Sequence, residues 1–377
     1  MRKKILHVIT GLGDGGAEGV LTRLCLNSKA ADHVVVSLTD EGKYGPVLRE
    51  HNVKVECLGM NPGRPGIGRF IRLIRFIRAE KPDVVQTWMY HADLLGGLAA
   101  RIAGVKRVFW GVRHSTLNGD TAKKSTIFVA RLCARLSWLL PEKVICCANK
   151  AKQVHVELGY CENKMLVIPN GYDLGRFRLN RHAREKERNE FNVKQDEIFL
   201  GVVGRFHPQK DHGNLLAALS LLKDSGYPFR CVLVGTGMCE ANQTLMGLVE
   251  RFGLQNVIFL AGPRADIPQV MNALDVHVLS SSSEGFPNVV AEAMACETPC
   301  VATDVGDAAL IVGDTGVISP PRQPDALARA IACLLDEKLS DVQLWESRCR
   351  RSRARISECY SLESAVRMYE QAWNLSE

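Results

Sequence analysis

Short apolar runs recur along this chain, each followed by a loop carrying glycine or polar residues and then by a longer stretch with helical spacing. That alternation constrains the fold more than any single motif. Apolar runs without a polar face read as strands buried on both sides, and the helices between them supply the crossovers that parallel strands need. In the first half the strand candidates are Ile5 to Ile9, His33 to Leu38, Val53 to Cys57, Val84 to Thr87, Val108 to Gly111, Val144 to Cys147 and Met165 to Ile168. Helices are expected over Glu18 to Asn27, Pro65 to Ala79 and Asp93 to Ala103. The second half repeats the pattern with strands near Ile198 to Val203, Cys231 to Val234, Val257 to Leu260, Val276 to Leu279 and Cys300 to Thr303. Between the halves, Asn170 to Gln195 is polar and rich in Arg, Asn and Glu, which reads as a partly solvated connector. At 377 residues the chain is long for one domain, and two α/β lobes are the natural expectation.

Within the second half, Ser283-Glu284-Gly285-Phe286-Pro287-Asn288-Val289-Val290-Ala291-Glu292 joins an apolar strand to a helix. Pro287-Asn288 suits a helix start, with Asn288 as the expected cap. Glu284 then lies in the loop before the helix and Glu292 about one turn inside it. The first-turn N–H groups and the positive end of the helix dipole favour a phosphate. A carboxylate on either side can accept hydrogen bonds from sugar or ribose hydroxyls. A second loop, Gly204-Arg205-Phe206-His207-Pro208-Gln209-Lys210-Asp211-His212, follows the strand at Ile198 to Val203 and leads into a helix carrying Leu215, Leu216, Leu219 and Leu222. Arg205 and Lys210 flank this loop, where two cations could neutralise a diphosphate, one by a forked contact and one as a point charge.

These two strings resemble glycosyltransferase family 4, retaining enzymes of the two-lobe GT-B type. The resemblance extends to Gly-Gly-Ala-Glu at 15 to 18, Pro-Asn-Gly-Tyr-Asp at 169 to 173 and a final helix with Tyr369 and Trp373, and so covers nearly the whole chain. It implies two Rossmann-like lobes facing across a cleft: an acceptor-binding lobe over 1–170, a linker over 171–195, a nucleotide-sugar lobe over 196–355, and a last helix over 356–377 crossing back to the first lobe. It implies that Arg205 and Lys210 bind the donor diphosphate, Glu292 the ribose and Glu284 the transferred sugar. Backbone from Gly285 through Phe286, Pro287, Asn288 and Val289 would serve phosphate and sugar. Gly15, Gly16 and Gly204 would allow close approach, and the base would be read near Arg264. His114, after the strand ending at Gly111, would face the donor sugar. The donor would be a UDP- or GDP-sugar and the acceptor a glycan or lipid-linked glycan, as in O-antigen, capsule or exopolysaccharide synthesis. No cofactor and no metal would be required, since Arg and Lys serve the diphosphate and no Asp-x-Asp cluster is present.

One loop supports a competing reading. Gly11-Leu12-Gly13-Asp14-Gly15-Gly16 matches G-x-G-x-x-G between a strand and a helix, and Asp40 ends the next strand where a dinucleotide site holds its ribose acid. An NAD-dependent dehydrogenase is therefore an alternative, as is a sugar-nucleotide-binding protein without catalysis. Trp88-Met89-Tyr90-His91-Ala92-Asp93 also ends a strand, and either shapes an acceptor pocket or packs the core.

Charge is uneven along the chain. The first 168 residues hold 26 of the 48 basic and 14 of the 41 acidic residues, so the net +7 arises entirely there. Arg69, Arg72, Arg75 and Arg78 are spaced three apart among apolar residues, an arrangement that could meet an anionic membrane surface. No aromatic-basic platform points to nucleic acid. Thirteen cysteines lack any paired spacing, which suits reduced thiols in the cytoplasm. No run of eighteen apolar residues exists, so the expectation is a cytoplasmic protein, with the arginine stripe offering contact to the inner membrane face.

Overall fold

The computed structural model describes residues 2–61, 66–113 and 124–375. The chain divides into two compact units, Met1–Gly171 together with Leu362–Glu377, and Tyr172–Ser361. In the first unit the order is β1 (Lys3–Ile9), α1 (Gly16–Asn27), β2 (Ala31–Ser37), α2 (Tyr44–Glu50), β3 (Lys54–Cys57), α3 (Ile67–Glu80), β4 (Val84–Trp88), α4 (Tyr90–Ile102), β5 (Arg107–Val112), α5 (Lys124–Leu136), β6 (Lys143–Cys146), α6 (Asn149–Glu157) and β7 (Met165–Val167). The second unit runs α7 (Arg181–Glu190), β8 (Ile198–Val203), α8 (His212–Asp224), β9 (Phe229–Val234), α9 (Gln243–Arg251), β10 (Ile258–Gly262), α10 (Ile267–Ala273), β11 (Val276–Leu279), α11 (Asn288–Ala295), β12 (Cys300–Thr303), α12 (Ala308–Val312), β13 (Val317–Ser319), α13 (Pro324–Ser340) and α14 (Val342–Cys359). The last helix, α15 (Leu362–Ala372), belongs to the first unit.

Each unit holds one sheet whose strand pairs are parallel. The orders are β3-β2-β1-β4-β5-β6-β7 and β10-β9-β8-β11-β12-β13. Both reverse direction beside their first strand, between β1 and β4 and between β8 and β11. At such a point neighbouring loops diverge to opposite faces and leave a crevice at the carboxyl edge. The strand candidates from sequence match these strands to within two residues at their ends. The three-residue β13, too short to stand out in the sequence, was not among them.

Helix α15 is held in the first unit by apolar burial and by polar contacts at its end. Leu362, Val366, Tyr369 and Trp373 join the core formed with Ile5, Ile9, Leu21, Trp88 and Phe109. Trp373 donates its indole N–H to Gln86 at 3.2 Å, and Arg107 donates to the Trp373 carbonyl at 2.7 Å. The preceding helix α14 stays with the second unit, so the return occurs after Ser361 rather than at residue 356.

The polar stretch expected to be a connector is folded into the second unit. Asn180 caps α7 through the Ala183 N–H, and Arg184 and Arg188 both reach Asp275, just before β11. Lys338 of α13 joins the same carboxylate at 3.2 Å, and the Phe199 N–H donates to it at 2.8 Å. Burial alone would raise the Asp275 carboxyl, but Arg184, Lys338 and Arg188 hold it below its ordinary value. The charged residues of α7 read as solvated because their partner Asp275 lies about 90 residues away. A cavity of about 490 Å³, lined by Arg184, Asp275, Cys296, Lys338 and Trp345, opens at this amino edge of the sheet, away from the crevice.

The arginine stripe is also modified. Leu73 and Ile77 bury one side of α3, while residues three apart on a helix drift around its axis by about 60° per step. The four arginines therefore spread over about half the circumference rather than forming one line. Arg72 pairs with Glu56, and Arg78 donates to the Ile102 carbonyl at 2.9 Å.

Asp93, weighed above as a pocket residue, is a buried structural acid. Its Oδ1 accepts from the Thr87 hydroxyl at 2.5 Å and the Gly111 N–H at 3.3 Å, which joins the ends of β4 and β5. Burial pushes its carboxyl up to about 7, against the lowering effect of those two bonds. The folded carboxyl therefore keeps its proton from about pH 4 to about 7, where an unfolded aspartate has lost it. Stability attributable to this group should fall across that window, by at most about 1.4 kcal/mol per pH unit, and level off above it. Asp93→Asn should flatten this slope in urea unfolding followed from pH 4.5 to 8; an unchanged slope would remove the assignment.

Candidate functional site

The loops after β8 and β11 flank the reversal point of the second sheet, and hydrogen bonds knit them together. The Ser282 N–H donates to the Gln209 carbonyl at 2.8 Å, Gln209 donates its side-chain amide to the Ser283 carbonyl at 2.6 Å, and the Ser280 hydroxyl donates to the Lys210 carbonyl at 2.9 Å. This stitching brings the Lys210 ammonium to 2.6 Å from Glu284 Oε1, which also accepts from the Ser281 hydroxyl at 2.7 Å. The Lys210 and Glu284 side chains are 21% and 11% exposed, a half-dry setting in which charges act more strongly than on an open surface.

Two glycines make room for that arrangement. A Cβ on Gly204 would lie 3.3 Å from the Lys210 stem, and one on Gly235 (φ 143°) would lie 2.1 Å from the Gly204 carbonyl oxygen. His212 and His277 flank the lysine from α8 and β11. Burial first, and Lys210 second, lower them to about 4 and about 3, so both are neutral and Lys210 carries the charge of this cluster.

Helix α11 starts at Asn288, and its cap position is Pro287, without a side-chain cap. The expectation that Asn288 caps is therefore corrected: it is the first helical residue, and its Oδ1 accepts from the Tyr172 hydroxyl at 2.6 Å. The first turn carries no acidic side chain of its own. Gly285 lies against the loop after β12, with the Asp307 N–H donating to its carbonyl at 3.0 Å. Phe286 is buried, and Glu292 and Val289 are partly exposed on the same helix.

The structure thus groups Gly204, Lys210, Glu284, Gly285, Phe286, Pro287, Asn288 and Val289 at one edge of the second sheet. Arg205 opens the same loop as Lys210 and is exposed, with no ion pair among the described residues. Arg264, after β10, is committed elsewhere. Its guanidinium pairs with Asp266, Glu187 and Glu190 and so fastens α7 to the β10–α10 loop. His114 lies outside the described residues.

Gly15 and Gly16 sit in the first unit, where Gly15 is the cap residue of α1. Glu18 folds back over this start: a Cβ on Gly15 would lie 2.3 Å from its Oε2. That carboxylate occupies the positive end of α1, which weakens it as a dinucleotide phosphate site. Sequence reasoning gave no role to Ser281 or to Tyr172, although Tyr172 lies within the Pro-Asn-Gly-Tyr-Asp string. Each acts through a partner supplied by folding.

Among the described residues, one group could offer three metal-ligating side chains, His7, Cys25 and His33. Trp88 donates its indole N–H to His7 Nδ1 at 3.2 Å, and indole is a donor only. Neutral His7 therefore carries its proton on Nε2, which donates to His33 Nδ1 at 2.9 Å. Burial keeps His7 well below its usual range and lowers His33 to about 4, so the pair stays neutral. The facing lone pairs are used within the chain, and the residues do not fit a metal.

Two family profiles cover the chain nearly end to end. "Glycosyltransferase Family 4" matches residues 14–176, and "Glycosyl transferases group 1" matches residues 183–352. EpsF of Bacillus subtilis (strain 168), assigned as a glycosyltransferase, is 30% identical over 323 residues, covering 80% of this chain and 79% of that protein. The chain belongs to glycosyltransferase family 4. It is also similar to the UDP-Gal:alpha-D-GlcNAc-diphosphoundecaprenol alpha-1,3-galactosyltransferase of Escherichia coli, at 28% identity over 281 residues, 72% of this chain and 71% of that enzyme. Among solved structures, Anabaena HepE in complex with UDP superposes with a TM-score of 0.84 at 23% identity over 98% of this chain and 99% of that one. The shared architecture is the GT-B fold. Family membership supports glycosyl transfer, not the dehydrogenase alternative, as the reading of the chain's glycine loops.

The Lys210–Glu284 contact is open to a direct test of coupling. Lys210→Met or Glu284→Gln should each destabilise the chain by about 1–3 kcal/mol, and the double variant should cost clearly less than their sum. Additive losses in urea unfolding would mean that the two charges do not interact in solution.

Proposed function

We propose that this chain is a retaining glycosyltransferase that moves a sugar from a UDP- or GDP-sugar onto a glycan or lipid-linked glycan, with no metal required. The observation that carries the reading is the meeting of Lys210, Glu284 and the uncapped start of α11 at the reversal point of the second sheet. In this reading the donor diphosphate takes the place beside Lys210, and Arg205 swings onto it by a forked contact. The amide N–H groups opening α11 donate to the second phosphate. Glu284, released in part from Lys210, accepts from the sugar hydroxyls, and Glu292 from the ribose. The chain's own cations take the leaving-group charge, the role a divalent ion would otherwise fill.

Retention follows from attack on the same face that the diphosphate leaves. The acceptor oxygen bonds to the anomeric carbon while the bond from that carbon to the phosphate oxygen breaks. The acceptor proton passes to the departing phosphate, giving the glycoside and UDP or GDP. No side chain is needed as base. The substrates in the name of the Escherichia coli relative, UDP-galactose and a diphosphoundecaprenol-linked sugar, favour a uridine donor and a lipid-carried acceptor.

Turnover measured with a panel of UDP- and GDP-sugars tests the whole reading. Arg205→Ala and Lys210→Ala should each lower donor turnover by roughly 10²- to 10³-fold in a folded protein. EDTA should leave wild-type turnover unchanged, and the product should keep the donor's anomeric configuration. Full activity in both variants would reject the diphosphate role.

A lipid-linked acceptor also gives a use to the outer face of the first unit. Exposed Ile67 and Ile71 lie on the same side of α3 as Arg75, and Phe128 of α5 with the following Trp138 and Leu139 is exposed in the same unit. Apolar side chains beside cations suit a peripheral position on an anionic bilayer, consistent with a cytoplasmic enzyme working at the inner membrane face. No helix among the described residues is long and apolar enough to cross a membrane. The wild-type chain should co-sediment with phosphatidylglycerol-rich vesicles and be released by salt, and Ile67→Ser with Ile71→Ser and Phe128→Ser should abolish this. Equal binding to purely zwitterionic vesicles would count against the charge contribution.

A further inference from the structure

The chain passes between its two units twice, after Gly171 and after Ser361. Within the second unit the residues bordering those passages are paired. The Tyr172 N–H donates to the Tyr360 carbonyl at 3.0 Å, and Tyr172 forms an isolated parallel bridge with Ser361. The same Tyr172 donates its hydroxyl to Asn288 Oδ1 at 2.6 Å. Its ring stacks on Phe286, with centroids 6.4 Å apart and planes 19° from parallel, while Tyr360 meets Phe286 edge-on at 5.8 Å. Arg353 of α14 holds the carbonyls of Leu174 and Phe177 from the incoming passage and that of Ala295 at the far end of α11. Both ends of α11 are thus tied to the segment that enters the unit.

We propose that Tyr172 is a positioning residue of the donor site. Its hydroxyl and ring hold the start of α11, and its main chain joins that start to the two passages between units. This inference rests on the donor reading given above. The physical argument concerns the Asn288 amide. With Oδ1 engaged by the tyrosine, the orientation of the amide that opens α11 is set. Phe286, gripped between two aromatic rings, fixes the turn that aims the helix amides. A loop that must hold a diphosphate gains affinity when this order is in place before the ligand arrives. A donor that binds there in turn tightens a contact continuous with both passages, so donor occupancy is felt at the residues joining the units.

Tyr172→Phe removes the hydroxyl and keeps the ring, so it separates positioning from packing. The nucleotide that the wild-type chain binds, UDP or GDP, should bind Tyr172→Phe about five- to tenfold more weakly, with the loss in donor KM and not in acceptor KM. Asn288→Ala should show a similar loss, and the double variant should be no weaker than the worse single one. In wild type, saturating nucleotide should slow hydrogen exchange in the peptide carrying the Tyr172 amide, and Tyr172→Phe should lose most of that protection. Tyr227→Phe, which removes a tyrosine hydroxyl donating to Asp336 at 2.7 Å outside this cluster, should bind nucleotide within twofold of wild type. Wild-type-like affinity in Tyr172→Phe, or additive losses in the double variant, would overturn the inference while leaving the donor site standing. Failure of the wild-type chain to bind either nucleotide would overturn both.

Discussion

The reversal of strand order between β8 and β11 is the constraint on which the site depends. Parallel strands send every carboxyl end to one edge, and a reversal makes neighbouring loops leave in opposite directions. The crevice between those loops exists before any side chain fills it. Lys210 and Glu284, on loops 74 residues apart, meet because their strands are neighbours there. Without that adjacency the lysine would be an ordinary basic loop residue. The close passage of Gly235 over Gly204 lies on the other side of β8, where the loops leaving β8 and β9 run too near each other for a Cβ.

Charge in the second unit is divided between two edges of one sheet. At the amino edge, Arg184, Arg188 and Lys338 share the Asp275 carboxylate, and the two guanidiniums spend their remaining donors on backbone carbonyls of Leu274, Ala273 and Lys194. At the carboxyl edge, Lys210 has one carboxylate partner and Arg205 has no ion pair among the described residues. The first arrangement is closed. The second leaves Arg205 unengaged by any ion pair among the described residues, which is the capacity the proposed donor site would use. Neutral His212 and His277 beneath Lys210 keep that charge localised.

Much of the fold was legible because buried parallel strands leave continuous apolar runs, as in Phe199 to Val203 and Val276 to Leu279. The loops at 204–212 and 283–292 were legible as well, since charge beside glycine is conspicuous at a strand end. Three features were not. The α7 segment looked like a solvated connector because its arginines find Asp275 far along the chain. Asn288 looked like a cap because a local rule places Asn there, while a tyrosine 116 residues earlier claims its oxygen. The four arginines of α3 looked like one stripe, but a three-residue spacing does not match the 3.6-residue turn.

By itself, the order of residues determined the two α/β halves, the parallel sheets and the identities of Lys210, Arg205, Glu284 and Glu292. Those features follow from local hydrophobicity, helix spacing and the chemistry of individual side chains. Only the tertiary structure decided that Lys210 pairs with Glu284, that Arg264 is spent on α7, and that Tyr172 holds the start of α11. Such pairings depend on which strands become neighbours and on which polar groups must find partners once water is excluded, and neither is written in any short stretch of chain.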